Sequence, residues 1–276
     1  MLFGFYAWMG WKFKIFCALS NFSVNFFWSR NRLYKRVEIQ KDMKTVILAG
    51  GYGTRISEYT KKIPKPMIKI GGIPLLTHIM RMFKSYGYND FLIAAGYKKN
   101  VIKKYYLNSK EFKNLKIIDT GKETMTGGRL LRLKPFFDKK ENFFMTYGDG
   151  LSDINLKKLR QFHLNHKKIA SVTAVRPPVR FGEMSIINSR VSTFKEKPEI
   201  KSSWINGGFF VLNYKIFNFI KNDGISFEKQ PLEKLSSKKN LMAYKHHGFW
   251  KCMDNLADKN YLEKLYKNNR IKPWKK

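Results

Sequence analysis

Two cations follow a glycine loop in this chain. Leu48-Ala49-Gly50-Gly51-Tyr52-Gly53-Thr54-Arg55 comes directly after the apolar run Val46-Ile47-Leu48, which reads as a buried strand. Three glycines let the backbone turn tightly and bring its N–H groups near a ligand, and Arg55 adds forked, permanently charged donors. That combination suits phosphate oxygens. Lys65 follows between Pro64 and Pro66, where a stiff backbone presents its ammonium. A phosphate cradle and a second cation on a rigid mount point to chemistry on a nucleoside triphosphate. The loop is neither G-x-G-x-x-G nor a Walker A sequence. Taken alone, it is also compatible with a tight strand-to-helix turn that holds nothing.

Carboxylates stand further along. Phe143-Phe144-Met145-Thr146-Tyr147-Gly148-Asp149-Gly150 reads as a buried strand ending in an acid between two glycines. At a strand end, with small neighbours, Asp149 can reach Mg²⁺, which takes one or two carboxylates plus substrate phosphates and water. Gly-Asp-Gly is also an ordinary turn sequence. Asp254, after Phe249-Trp250-Lys251-Cys252-Met253, is either a second metal ligand or the cap of a helix starting at Asn255. Lys195-Glu196-Lys197-Pro198 offers cations for an anionic group and a carboxylate for hydroxyls; against this stands a solvated, charged strand end. Met125-Thr126-Gly127-Gly128-Arg129 repeats the anion-binding logic at a helix start. Asn206-Gly207-Gly208-Phe209 opens a strand with close backbone access.

These positions need a scaffold. From Met43 onward strand and helix patterns alternate, with strands expected at 44–49, 91–95, 115–118, 142–147, 170–176 and 208–213. Helices are expected at 75–86, ending at Gly87, and at 154–166, 228–237 and 255–268. A hairpin over Ile186–Lys195 turns at Asn188-Ser189. Such alternation predicts an α/β fold: a mixed, mainly parallel sheet covered on both faces, with ligands at the carboxyl ends of its strands.

The 276 residues suffice for one such domain, and 43% hydrophobic residues supply a core. The formal charge of +34 comes from 54 Lys and Arg against 20 Asp and Glu. It is spread along the chain and forms no basic arm, so the reading is a lysine-rich surface that favours polyanionic substrates and no nucleic-acid partner. Cys17 and Cys252 give neither a disulfide framework nor metal-ligand spacing, which fits a reducing cytoplasm. His163 and His166 share a helix face and read as solvated surface residues.

Residues 1–42 differ from the rest. Met1 to Trp11 is apolar and aromatic, Lys12 and Lys14 interrupt, and Arg30, Arg32, Lys35 and Arg36 follow a second apolar stretch. The segment lacks a positive n-region and a clear cleavage site, and its lysines break any membrane span. It reads as an extension outside the functional domain 43–276, and any membrane contact of the chain would run through it.

Together the segments Met43–Arg55, Pro64-Lys65-Pro66-Met67, Met125–Arg129, Thr146–Gly150, Phe194–Pro198, Ile205–Leu212 and Gly248–Asp254 resemble the sugar-1-phosphate nucleotidylyltransferases, over about residues 43–275. The Gly-Gly-x-Gly-Thr-Arg loop with the later Lys-Pro is specific for that superfamily. Met-Thr-Gly-Gly-Arg, Tyr-Gly-Asp-Gly and Asn-Gly-Gly-Phe-Phe look like its cytidylyltransferase branch acting on glucose 1-phosphate. The resemblance implies a Rossmann-like three-layer α/β/α nucleotidyltransferase fold and transfer of a cytidylyl group from CTP to α-D-glucose 1-phosphate, giving CDP-glucose and pyrophosphate. It implies that Leu48, Ala49, Gly50, Gly51, Tyr52, Gly53, Thr54, Arg55, Lys65, Thr124, Arg129 and Gly148 hold the nucleotide. It implies that Asp149 and Asp254 bind Mg²⁺, that Lys197 grips the sugar phosphate, and that Gly182, Glu196 and Asn206 line the sugar pocket. Arg55, Lys65, Asp149 and Lys197 would then do the chemistry. A homo-oligomeric cytoplasmic enzyme supplying deoxysugars for surface polysaccharide is the expected setting. One departure stands out: about ten residues join the helix near Tyr105-Tyr106 to Ile117-Ile118, where the family carries a longer segment.

Overall fold

The computed structural model describes residues 43–176, 183–195, 203–268 and 273–274. Residues 1–42 and the expected sugar-side positions Gly182, Glu196 and Lys197 lie outside them.

Seven strands build the central sheet: β1 Thr45–Ala49, β2 Asp90–Ala95, β3 Asn114–Asp119, β4 Asn142–Tyr147, β5 Ala170–Val175, β6 Ile205–Asn213 and β7 Leu241–Lys245. Their spatial order is β7-β5-β6-β4-β1-β2-β3. β6 is antiparallel to both neighbours, and every other pairing is parallel. The mixed, mainly parallel sheet read from the sequence is therefore present. β7 was not among the expected strands, because Leu241-Met242-Ala243-Tyr244-Lys245 is a half-buried edge without a long apolar run.

The inner strands show why both faces are covered. Ile47 and Ala49 of β1 enter one apolar core, while Val46 and Leu48 enter the other. Phe143 and Met145 of β4 oppose Phe144 in the same way. A strand buried on both faces reads as a continuous apolar run. The first core also receives α1 Leu75–Ser85, α2 Lys99–Tyr106, α4 Leu156–His166 and α6 Leu256–Lys267. The second receives α3 Thr126–Arg132 and α5 Gln230–Ser237. α1 ends where expected: Gly87 has φ +92° and donates its N–H to the Lys84 carbonyl at 2.9 Å.

The chain moves outward from β1 to β2 and β3, then returns to place β4 on the other side of β1. The sheet's topological switch point thus lies between β1 and β4, where α/β folds form a ligand crevice. Two short antiparallel strands complete that end. Gly150–Ser152 pairs with Trp250–Cys252, Cys252 facing Gly150, and Met253 donates to the Asp149 carbonyl at 2.9 Å. This pairing brings Asp149 and Asp254 together across a long separation in sequence.

The hairpin of Glu183–Ile187 and Arg190–Lys195 turns at Asn188 and Ser189, both with positive φ, as the sequence predicts. One of the two readings of Asp254 is excluded, and the histidine expectation is corrected. Asp254 does not cap the last helix: Asn255 accepts from Asp258 N–H, and Asp258 reaches back to Asn255 in a capping box. His163 and His166 are not solvated surface histidines. His163 is buried, and both rings hydrogen-bond the Ser171 hydroxyl, because α4 packs that face onto β5.

Candidate active site

Loops at the carboxyl ends of β1, β3 and β4 enclose a cavity of about 450 Å³. Gly50–Arg55 forms one wall, Lys122–Thr126 another, and Tyr147–Asp149 the floor beside Lys65, Pro66 and Asp254. Leu48, Ala49 and Arg129 also line it. Every nucleotide-side residue expected from the sequence is in this lining. Asn206 is not; it touches the cavity floor indirectly, its side-chain amide 3.5 Å from the Tyr147 hydroxyl.

The loop glycines serve different ends. Gly53 sits at φ +67°, a left-handed conformation that favours glycine. Its carbonyl accepts from Thr60 Oγ1 at 3.1 Å and from Ile56 N–H at 3.1 Å, which fixes the turn. Gly50 is needed for space. A Cβ there would lie 2.2 Å from Nη1 of Arg129, and one on Gly96 would lie equally close. The Arg129 guanidinium threads between these glycines and donates to Thr120 Oγ1 at 2.9 Å, Gly121 O at 2.6 Å and Lys122 O at 3.1 Å. It therefore ties the β3–α3 loop to the glycine loop. Burial, and then the neighbouring Arg132, lower its pKa from the usual arginine value. Across the mouth, the Tyr52 hydroxyl bonds Glu123, and the Tyr52 ring packs on Tyr97 at 5.0 Å.

Lys65 is the hub of the charged end. Its ammonium lies 2.7 Å from Asp149 Oδ2 and 2.9 Å from Asp254 Oδ1. Arg55, largely exposed, meets the other oxygen of Asp254 at 3.1 Å. Burial works against the Lys65 charge, but the Asp149 charge and hydrogen bonds to both carboxylates outweigh it and raise the pKa above the ordinary lysine value. Burial likewise opposes ionisation of Asp254, yet the bond and charge of Lys65, with Arg55 beside it, hold its pKa below the usual range. Asp254 is therefore ionised at neutral pH, and both acids face the Lys65 ammonium.

The acids also have a neighbour unforeseen in the sequence. One ligand atom each from Asp149, Cys252 and Asp254 lies within 4.8 Å of the others. Burial, and then the Asp149 charge, push the Cys252 thiol pKa up. Two converging carboxylates suit a hard divalent cation bound together with phosphates, so the residues fit the group that the chemistry needs. Pro66, Met125, Thr126 and Tyr147 entered the sequence reading only as members of motifs, and Lys122 and Glu123 did not enter it. Cys252 had only its place beside Asp254 as a signal.

A mixed sheet covered by helices on both faces, an anion-binding loop at the switch point and two acids joined by a pair of short strands define a transferase acting on nucleotides. The nucleotidyl transferase family profile matches residues 44–255, and the chain belongs to that family. It is 44% identical over 255 residues to the glucose-1-phosphate cytidylyltransferase of Salmonella typhimurium, a match covering 84% of this chain and 99% of that protein. It is 37% identical, with the same coverage, to the Bacillus subtilis protein named "Probable glucose-1-phosphate cytidylyltransferase". Among solved structures, HddC from Yersinia pseudotuberculosis superposes with a TM-score of 0.66 at 24% identity, covering 81% of this chain and 99% of that one, a likeness of fold.

Proposed function

We propose that this enzyme transfers a cytidylyl group from CTP to α-D-glucose 1-phosphate, giving CDP-glucose and pyrophosphate. The observation that carries the choice of substrates is the 44% identity to the Salmonella enzyme of that name along nearly its whole length. The cavity supports the reaction class: it joins a phosphate-binding loop, two cations and two carboxylates in one crevice.

The nucleophile is a phosphate oxygen of the sugar phosphate, which is already ionised at neutral pH. No strong general base is required, and among the described residues that line the cavity there is no histidine. The difficulty lies in bringing two polyanions together in line. Gly50–Thr54 offers backbone N–H groups to the triphosphate, and Arg55 and Lys65 bear on its phosphates. Arg129 and Thr124 hold the loop against which the nucleoside rests, and Gly148 leaves room beside it. Lys197 and Glu196 grip the sugar phosphate and the sugar, with Gly182 and Asn206 on the same side. Asp149 and Asp254 hold Mg²⁺, which when bound neutralises phosphate charge and polarises the α-phosphorus. Lys65, set between the two acids at the cavity floor, would bear on the charge that develops on the leaving pyrophosphate. Orientation and charge stabilisation supply the rate.

We assign the working protein to the cytoplasm as a homo-oligomer. The apolar side chains exposed on the 183–195 hairpin, among them Ile186, Ile187 and Phe194, support contact between copies. Among the described residues no helix is long and apolar enough to cross a membrane.

The experiment is to incubate purified protein with CTP, α-D-glucose 1-phosphate and Mg²⁺ and identify the products by phosphorus NMR. Equal amounts of CDP-glucose and pyrophosphate are expected. Unchanged CTP in this mixture, with sugar phosphate consumed when UTP, dTTP or GTP replaces CTP, would overturn the assignment.

A further inference from the structure

A carboxylate outside the cavity binds its two halves together. Glu228 precedes α5 and is partly buried. Its Oε1 accepts from the Tyr147 hydroxyl at 2.6 Å. Its Oε2 accepts from Thr126 Oγ1 at 2.7 Å and Ser226 Oγ at 2.6 Å. Thr126 and Tyr147 both line the cavity, and Glu228 does not. Thr126 opens α3 next to the nucleotide-side loop 122–125. Tyr147 ends β4, directly before Gly148 and Asp149, and its hydroxyl is the one Asn206 approaches.

We propose that Glu228 is a positioning residue that fixes Thr126 and Tyr147 against each other, coupling the nucleotide side of the site to the sugar-phosphate side. The proposal rests on the two-substrate reading above and assigns no substrate contact to Glu228 itself.

The geometry demands an acceptor-only group. Three hydroxyls point their protons at two oxygens, an arrangement a carboxylate satisfies and an amide does not, because the amide nitrogen is a donor. Burial alone would raise the Glu228 pKa, but the bonds from Ser226, Thr126 and Tyr147 hold it below the usual range, so the group is ionised at working pH. Burial, and then the Glu228 charge and hydrogen bond, raise the Tyr147 pKa well above its ordinary value, so the phenol keeps the proton it donates. The Tyr147 ring has little freedom otherwise: a Cβ on Gly208, which sits at φ +80°, would lie 2.6 Å from it. Thr126 is held from its other side as well, since its hydroxyl accepts from Phe227 N–H at 2.9 Å.

The surrounding braces are backbone bonds. Met125 N–H reaches Asp223 O at 2.9 Å, and Gly127 N–H reaches Ile225 O at 2.9 Å. These do not depend on the Glu228 side chain, so Glu228→Gln is expected to fold with its packing intact and its hydrogen-bond polarity wrong.

The test is steady-state kinetics with both substrates varied, alongside thermal unfolding. Glu228→Gln is expected to lower kcat/KM by about tenfold or more and to raise KM for CTP and for glucose 1-phosphate together, while the unfolding midpoint stays close to that of the native protein. A double-mutant cycle gives the decisive reading. Thr126→Val and Tyr147→Phe should be non-additive in kcat/KM in the native background and additive in the Glu228→Gln background. Additivity in both backgrounds overturns the proposal. So does a Glu228→Gln variant whose activity falls only with its folded fraction, with both KM values unchanged. The cycle in the native background stands even if Glu228→Gln does not fold. Preference for a nucleotide other than CTP would overturn the substrate assignment, and the same cycle run with that nucleotide would still decide the role of Glu228.

Discussion

Alanine at Gly50 tests how the glycine loop is built. The substitution adds one methyl at a backbone conformation that alanine can adopt, so strain is not the issue. The new Cβ would lie 2.2 Å from Nη1, 2.4 Å from Cζ and 2.8 Å from Nε of Arg129. The guanidinium cannot retreat within its slot, because Gly96 bounds the other side just as closely. It must leave, and its bonds to Thr120, Gly121 and Lys122 are lost. At about 1 kcal/mol for each bond the loss is about 3 kcal/mol, which for a domain of this size lowers the melting temperature by about 8 °C. CTP affinity should fall as well, since Arg129 lines the cavity. Calorimetric unfolding and CTP titration of Gly50→Ala, Arg129→Ala and the double variant provide the assay. In the Arg129→Ala background, Gly50→Ala should cost less than about 1 kcal/mol, because the slot is already empty. An equal cost of Gly50→Ala in both backgrounds would refute the reasoning and return Gly50 to a purely backbone role.

Three further outcomes follow from the same geometry. Asp149→Asn should lose about a hundredfold or more in turnover at saturating Mg²⁺ without unfolding, and a chelator should stop the native enzyme until Mg²⁺ is restored; near-normal turnover of the variant would remove Asp149 from the metal site. For Lys197→Ala, KM for glucose 1-phosphate should rise more than KM for CTP, and an equal rise in both would end its assignment to the sugar side. His163 supplies a pH dependence. Burial, with His166 beside it, pushes its pKa down to about 4 in the folded protein, against about 6.5 when unfolded. The unfolded chain binds the extra proton between these values, so stability should fall as pH drops from about 6.5 to about 4, by up to about 3 kcal/mol. Urea unfolding across that range should give a shallower decline for His163→Gln, whereas parallel curves would contradict the burial argument.

What the sequence disclosed followed its local patterns. The inner strands were legible because burial on both faces leaves continuous apolar runs such as Val46-Ile47-Leu48 and Phe143-Phe144-Met145. The edge strand β7 has one exposed side and alternates too weakly to stand out. The glycine loop, Lys65 and both acids were visible as residue types at strand ends. Their mutual geometry was not, because Lys65 and Asp254 are 189 residues apart and meet only through the pairing of two three-residue strands. The cap reading of Asp254 is excluded, since Asn255 takes the cap and leaves the aspartate to Lys65 and Arg55. Cys252 joined the acids by the same route. Glu228 carries no motif; its importance comes from three hydroxyls that converge only in the folded chain. The histidine pair misled because periodicity gives a shared face without saying which face is covered.

The choice of nucleotide decides which nucleotide sugar this enzyme makes. Pyrophosphate release should be measured with CTP, UTP, dTTP and GTP, each supplied with α-D-glucose 1-phosphate and Mg²⁺. CTP is expected to give a kcat/KM well above those of the other three, with CDP-glucose as the product. Equal or faster turnover with any of the others would contradict it.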